Sequence, residues 1–256
     1  MRIATWNVNG LRARLEFVLH WLKARQPDVV GMQETKASDD DFPHEELAEL
    51  GYKVLNHGQK GWNGVAIVSR EDADLTTAGL PGRDDDGARL LRARVGGIDF
   101  TTVYCPNGKT LEHADFPMKL DWFGSLREFM DGGVGADSVL CGDFNIVPEP
   151  ADCWRGEAAD GTIFCTEEER SRYGALLELG FTDLYRQLHP DTQAFSWWDY
   201  RGGAFHRGMG LRIDMLLGGA NVAGRVTHVE IDREYRKKKD GHIASDHAPV
   251  FADLTD

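Results

Sequence analysis

Acidic and amide side chains stand at the ends of several apolar runs, where a strand stops or is about to begin. The set comprises Asn7, Glu34, Tyr104, Asp143 with Asn145, and Asp246 with His247. Ends of strands in packed sheets lie together in space, so these side chains can converge on one cleft. Each residue alone is more typical of a turn, because Asp and Asn bond the neighbouring backbone. Taken as a set, they indicate a functional site.

The chemistry of this set is dominated by oxygen ligands, without a cluster of cysteines or histidines. Such hard ligands suit Mg²⁺ or Mn²⁺ and not zinc. Magnesium needs few protein carboxylates beside a substrate phosphate, and a separate Asp or His is expected to serve as base. The set therefore predicts metal-dependent hydrolysis of a phosphate ester.

Apolar runs predict the elements that position these side chains. A strand through Trp6 precedes a helix on which Leu11, Leu15, Val18, Leu19 and Leu22 share one face. Further strands are predicted at 28–33, 64–69, 90–95, 98–104, 138–141, 213–217, 226–231 and 250–254, with a second helix at 116–130. Strands joined by turns, with only some helical crossovers, favour an α/β fold with a mixed sheet system flanked by helices. One domain spanning residues 1–256 is expected.

The charge balance bears on the partner. A net charge of −13 argues against nucleic acid, because phosphate binding depends on Lys and Arg. The charges are uneven, with acidic blocks at 39–41, 84–86 and 167–169 and a basic run at 236–239. Since charges are screened beyond about 8 Å, the local sign matters more than the total. DNA stays possible.

No signal peptide or membrane-spanning apolar run is evident, so a cytoplasmic protein is expected. The four cysteines lack CxxC spacing, which favours reduced core residues. Several other enzyme classes are excluded because their motifs are absent. Gly108-Lys109-Thr110 resembles the end of a P-loop, but Val103 stands where that motif needs glycine. The serine-hydrolase elbow, zincin and dinucleotide-binding motifs are also missing.

Six sequence blocks in order resemble the exonuclease III branch of the endonuclease/exonuclease/phosphatase superfamily. They are 6–12, Gln33-Glu34-Thr35-Lys36, 104–108, Gly142-Asp143-Phe144-Asn145, 211–214 and Ser245-Asp246-His247-Ala248-Pro249, and segments 57–61 and 195–201 narrow the likeness to that branch. The resemblance covers essentially the whole chain. It implies a four-layer α/β sandwich of two packed mixed β-sheets flanked by helices. It also implies cleavage of double-stranded DNA at abasic sites, 3′→5′ exonuclease action and removal of blocked 3′ ends.

The same resemblance implies roles for individual residues. Glu34 is the expected principal Mg²⁺ ligand, and Asn7, Asp143, Asn145 and Asp246 complete the candidate metal residues. Asp143 is expected either to activate the attacking water or to protonate the leaving oxygen, with Asn145 orienting it. Asp214 is expected to hold His247, which acts as a charged stabiliser of the phosphate or as a neutral base. Tyr104 is expected to donate to the phosphate or to lie near the leaving group.

Substrate contacts are expected from Arg89, Asn107, Trp197 and Leu211, the last two with Trp198 lining a pocket for a flipped-out abasic sugar. Lys109 and the run 236–239 are candidates for phosphate contact. The stretch 206–210 lacks the Asn that family members often carry there, which bears on how tightly an abasic nucleotide is gripped. The alternatives are another phosphodiesterase of the superfamily, such as an RNA nuclease or inositol-phosphate phosphatase, and a catalytically silent DNA-damage-binding protein. A monomer is expected.

Overall fold

The computed structural model describes residues 1–255, which form two β-sheets flanked by helices. The strands are β1 (Arg2–Asn7), β2 (Val29–Gln33), β3 (Lys53–His57), β4 (Val65–Ser69), β5 (Ala73–Ala78), β6 (Leu90–Val95), β7 (Ile98–Tyr104), β8 (Ser138–Asp143), β9 (Thr182–Asp183), β10 (Asp214–Gly218), β11 (Val226–Ile231) and β12 (Val250–Leu254). The helices are α1 (Leu15–Arg25), α2 (His44–Ala48), α3 (Asp115–Asp131), α4 (Glu167–Leu177), α5 (Leu184–Leu188) and α6 (Ala220–Arg225).

Each sheet has six strands and mixes parallel with antiparallel pairs. The first sheet has the order β11-β12-β1-β2-β4-β3, and the second β5-β6-β7-β8-β10-β9. Within them β1 runs parallel to β2, and β7 parallel to β8, while the other pairs are antiparallel. A helix connects the strands of each parallel pair, α1 in the first case and α3 in the second, because a parallel neighbour needs a crossover.

Three apolar clusters hold the layers together. Between the sheets, Ile67 of the first packs in the same buried cluster as Phe100 of the second. On the outer face of the first sheet, Trp21 of α1 is fully buried, and on the outer face of the second, Trp122 of α3 lies in one cluster with Tyr173 of α4. The order is therefore helix, sheet, sheet, helix, and the predicted four-layer sandwich is confirmed.

Most predicted strands are confirmed, several with the same bounds, as for β6, β7, β11 and β12. The first helix begins later than predicted, because residues 12–14 form a 3-10 turn before α1. Strands β3, β5 and the two-residue β9 were not predicted, since none of them carries a buried apolar run. Helix α4 was also missed, although its Thr166–Glu169 capping box is a recognisable start signal.

The four cysteines are free and buried, as expected. Within residues 1–255, no helix has the length and apolar character required to cross a membrane.

Candidate active site

Strand register places the catalytic candidates at the ends of neighbouring strands in both sheets. In the first sheet, Asn7 ends β1 opposite Gln33, the last residue of β2, so Glu34 follows next to Asn7. In the second sheet, Tyr104 at the end of β7 pairs with Asp143 at the end of β8, and Asp143 pairs with Asp214 at the start of β10. Residues from distant parts of the chain therefore meet where the strands stop.

A glycine sets the approach of β7 to β8 next to this edge. Gly142 has φ +145°, and a Cβ atom there would lie 1.9 Å from the carbonyl oxygen of Val103. Any other residue would push the strands apart one position before Asp143. The sequence Gly142-Asp143 therefore has a physical basis, since the glycine lets the catalytic candidate reach its place.

The side-chain amide of Asn7 joins the two sheets. Its nitrogen donates to Oε1 of Glu34 and to Oδ2 of Asp143, both at 2.8 Å. Glu34 adopts φ +50°, an uncommon backbone conformation for a residue with a side chain and one that occurs at functional sites. Ligand atoms of Glu34, Asp143 and His247 all lie within 4.8 Å of one another.

This donor set fits a hard divalent cation. The carboxylates of Glu34 and Asp143 are the ligand type that Mg²⁺ accepts, and magnesium completes its shell with water. The Asn7 oxygen accepts from the backbone N–H of Asn9 at 3.0 Å while its nitrogen faces the two carboxylates. Lys36 Nζ lies 2.8 Å from Oε2 of Glu34, which leaves Oε1 facing Asn7 and the second sheet.

Asp246 and Asn145 are hydrogen-bonded to residues outside the group of Glu34, Asp143 and His247. The carboxylate of Asp246 already accepts from Asn9 at 2.8 Å and from the Trp197 indole at 3.1 Å. The amide of Asn145 donates to the Cys105 carbonyl at 2.9 Å, while its oxygen accepts from Asn107 at 3.2 Å. Their side chains brace neighbouring loops.

His247 is held by two acceptors of Asp214 and faces Asp143. Its Nδ1 lies 2.9 Å from Oδ2 of Asp214, and Nε2 lies 3.8 Å from Oδ2 of Asp143. Burial disfavours the charged ring, but Asp214, with Asp143 and Asp246, outweighs this and raises the pKa of His247 to about 10. The ring is therefore a charged donor at neutral pH. Oδ2 of Asp214 also accepts from Ser196 Oγ at 2.6 Å, which fixes the carboxylate.

Burial raises the pKa of Asp143, although the charged His247 opposes the shift. Its oxygens accept from the backbone N–H of Asn145 at 3.0 Å and from the Asn7 amide. These partners are donors, so they favour the acceptor-only carboxylate form. Burial, with the nearby charges of Glu34 and Asp143, raises the pKa of Tyr104 well above its usual value. Tyr104 therefore remains a neutral phenol that can donate a hydrogen bond.

The expected substrate residues fall into two groups around this centre. Trp197 and Leu211 are half-buried and neighbour His247, since Trp197 forms β-bridges with both Leu211 and His247. Arg89 is half-buried next to Tyr104, with its guanidinium 5.0 Å from the centre of the Tyr104 ring. Asn107 is exposed and reaches the centre only through Asn145.

Trp198 was predicted to line a pocket for an abasic sugar, but its side chain is buried. Only 1% of it is exposed, and its ring packs edge-on against Phe205 at 5.1 Å. Its role is in the core, because alternation along the extended segment turns it away from Trp197.

The basic run at 236–239 is also less uniform than expected. Arg236 is buried and donates to the carbonyls of Trp198 and Asp246, so its assignment to phosphate contact was wrong. Lys237 is exposed and paired with Glu234, and Lys109 is paired with Asp115 at 2.8 Å. Lys238 is exposed, and among the described residues no ion pair involves it.

Several supporting residues were missed from the sequence. Lys36 and Asn9 contact each other at 2.6 Å beside Glu34, and Ser196 supports Asp214. Lys119 and Glu169 form a fully buried ion pair, and Lys119 Nζ also donates to the Asn145 carbonyl at 2.6 Å. A lysine on the apolar face of the 116–130 helix was a signal for this pair.

Comparisons with known proteins agree with this geometry. The model of the Endonuclease/Exonuclease/phosphatase family matches residues 4–247. The chain is 32% identical to exodeoxyribonuclease III of Haemophilus influenzae, with 99% of this chain and 100% of that protein covered. The chain belongs to the endonuclease/exonuclease/phosphatase family.

Solved structures narrow the likeness to one branch. A 3′ phosphatase, NExo, from Neisseria, bound to a product DNA hairpin, superposes with a TM-score of 0.95 at 41% identity, covering 100% of this chain and 99% of that chain. An AP endonuclease from Archaeoglobus fulgidus superposes with a TM-score of 0.94 at 37% identity, covering 99% of both. The resemblance to the exonuclease III and abasic-endonuclease branch is confirmed.

Proposed function

We propose that this protein is a magnesium-dependent phosphodiesterase of DNA repair that acts on double-stranded DNA at abasic sites or 3′ ends. The observation that carries the proposal is the meeting of Glu34, Asp143 and His247 within 4.8 Å, across two sheets, beside Asn7 and Asp214. Relatives over the full chain are named as exodeoxyribonuclease III, AP endonuclease and 3′ phosphatase, which supports DNA as the substrate.

The residues divide the work according to their protonation. Hydrogen-bond donors around Asp143 favour its carboxylate form, and burial raises its pKa, which makes that carboxylate a better base for a proton of the attacking water. His247 carries a proton at neutral pH and donates through Nε2 to the phosphate as negative charge develops there. This favours the charged stabiliser over the neutral base among the two roles open for His247.

Three further residues orient the phosphate and its surroundings. Tyr104, as a neutral phenol, donates to a phosphate oxygen. Asn145 fixes Asp143 through its backbone N–H. Glu34 and Asp143, with Asn7 beside them, would hold a divalent cation such as Mg²⁺ or Mn²⁺, which when bound would supply positive charge against the phosphate. Asp246 is a further candidate ligand, whose two oxygens accept hydrogen bonds from Asn9 and Trp197 just as those of Glu34 contact Asn7 and Lys36.

The half-buried Trp197 and Leu211 beside His247 provide an apolar wall that suits a sugar lacking its base. Arg89, beside the Tyr104 ring, and Asn107, which donates to Asn145, are the proposed contacts to the strand that carries the cleaved bond. With a net charge of −13, DNA binding would depend on local cations such as the exposed Lys238. We place the protein in the cytoplasm as a monomer with one catalytic domain over residues 1–256.

A parallel assay tests this proposal. The purified protein is incubated with an abasic duplex, a blunt duplex, a 3′-phosphate end, an RNA duplex and an inositol phosphate, each with Mg²⁺, Mn²⁺ or EDTA. We expect cleavage of DNA substrates that EDTA abolishes. Asp143→Asn should abolish cleavage while leaving DNA affinity within about twofold, because the substitution conserves shape and hydrogen bonding. Turnover of RNA or inositol phosphate alone would reject the proposal, and so would an Asp143→Asn variant that loses binding and cleavage equally.

A further inference from the structure

Trp62 presents an aromatic surface to solvent. Its side chain is 74% exposed, more than any other large hydrophobic residue among residues 1–255. A single exposed apolar residue is ordinary in folded proteins and needs no function by itself. Trp62 differs in two respects, its position beside the active site and the rigidity of the loop that carries it.

The loop between β3 and β4 is hydrogen-bonded to the segment that directly follows Glu34. The backbone N–H of Thr35 donates to Gly64 at 3.1 Å, and the N–H of Lys36 donates to Asn63 at 3.0 Å. In return the N–H of Gly61 donates to Lys36 at 3.3 Å. Trp62 lies between Gly61 and Asn63, so it stands at the rim of the cleft, on the side of the principal metal candidate.

Side-chain bonds hold this loop in one conformation. The amide of Asn63 donates to Gln59 Oε1 at 2.9 Å, and the same oxygen accepts from the N–H of Ala88 at 3.1 Å. Gly64 has φ +87°, and a Cβ atom there would lie 2.2 Å from Thr35 Oγ1, so the loop is packed directly on the Glu34 segment. The indole of Trp62 therefore projects into solvent from a loop that these hydrogen bonds fix in place.

The loop that carries Trp62 has one charged residue of its own. Residues 58–64 contain Lys60 and no acidic residue, Lys36 lies next to the loop, and Asp39 accepts from the N–H of Gly58 at the start of the loop at 2.7 Å. An aromatic ring beside cationic groups is the arrangement that binds single-stranded nucleic acid, because the base stacks while the cations meet the phosphates. A fully paired duplex offers no free base face away from its ends.

We propose that Trp62 stacks on an unpaired nucleobase at the end of the DNA being cleaved, and so selects frayed or mismatched ends. The inference rests on the proposed function, since its ligand is DNA. It adds a substrate contact that none of the strand-end residues provides.

The test compares two DNAs and three variants, with binding measured by fluorescence anisotropy in EDTA. One DNA is a duplex whose unpaired 3′-terminal base is 2-aminopurine, and the other is a closed dumbbell without unpaired bases near the label. Trp62→Ala should bind the first about 10-fold more weakly, the size expected for one lost stacking contact, and the dumbbell within about twofold. Trp62→Phe should retain most of the affinity and the quenching of 2-aminopurine. Leu75→Ala, which removes another exposed residue, should change neither DNA.

Two results would overturn the inference: unchanged affinity of Trp62→Ala for the unpaired end, or an equal loss on both DNAs. Metal-dependent hydrolysis of bis(p-nitrophenyl) phosphate by Trp62→Ala should match the wild type, because that substrate has no base. Failure of the proposed function has a separate signature, in which the wild-type protein hydrolyses this small diester but neither binds nor cleaves either DNA.

Discussion

Replacing Lys119 by methionine tests whether a buried ion pair supports the segment that follows Asp143. Lys119 and Glu169 are both fully buried, and Lys119 Nζ donates to Glu169 and to the carbonyls of Asn145 and Asn107. Glu169 also accepts from the backbone N–H groups of Phe164 and Thr166 at 3.1 Å. The pair therefore ties α3 to the start of α4 and to the residues that follow Asp143.

The expected loss follows from the burial. Methionine fills the space of the lysine stem but leaves Glu169 without its cation, and breaking a buried pair in this way costs about 3–5 kcal/mol. Such a loss is a large share of a typical free energy of unfolding of about 5–15 kcal/mol. The double variant Lys119→Met/Glu169→Gln removes the unpaired charge and should recover about 2 kcal/mol, a coupling within the range measured for residues in contact.

Urea unfolding followed by tryptophan fluorescence gives the free energies, with the slope against urea checked for constancy. Lys23→Met is the matched control, because Lys23 is exposed on α1 and should change stability by less than about 0.5 kcal/mol. A loss below about 1 kcal/mol for Lys119→Met at constant slope, or no recovery in the double variant, would refute the reasoning.

Three further expectations concern the site. Asp214→Asn should lower DNA cleavage about 100-fold, because His247 loses its charge partner. Folding raises the pKa of His247 from 6.5 to about 10, so protonation of His247 stabilises the folded state fully below pH 6.5, and this contribution is lost as the pH rises through 10. Without metal, the free energy of unfolding of Asp214→Asn should therefore fall less over this pH range than that of the wild type. Glu34→Gln should raise the magnesium needed for half-maximal cleavage about 10- to 100-fold, and unchanged metal dependence would reject Glu34 as a ligand. Lys238→Ala should lower the slope of log affinity against log salt by about 0.9, the value for one lost phosphate contact. Lys237→Ala should lower this slope less, because Lys237 is paired with Glu234.

The sequence was informative wherever a side chain sits at the end of a buried strand. Asn7, Glu34, Asp143 and Asp214 follow or begin apolar runs, so their place in the fold could be read from periodicity. Edge strand β5 has mostly exposed residues and carries no such signal. Propensity therefore identified the central strands and the edge strand β11, and it missed the edge strands β3, β5 and β9.

The finer division of roles required three-dimensional contacts. Whether Asp246 faces the metal or braces a loop depends on Asn9 and Trp197, which approach it from distant segments. Arg236 looked like part of an exposed basic run, but its guanidinium is buried under Tyr200, 4.9 Å from the ring centre. Adjacent residues of one charge can face opposite environments, and composition does not reveal which.

The Asn7 amide that spans Glu34 and Asp143 makes the distance between the sheets a catalytic variable. Each sheet supplies an incomplete half of the reaction centre, so a slip of about an ångström at their shared apolar layer would separate the halves while every strand ladder stayed intact. Catalysis should therefore fade on warming before circular dichroism registers any loss of secondary structure. The rate of turnover would therefore report how well the two sheets are aligned.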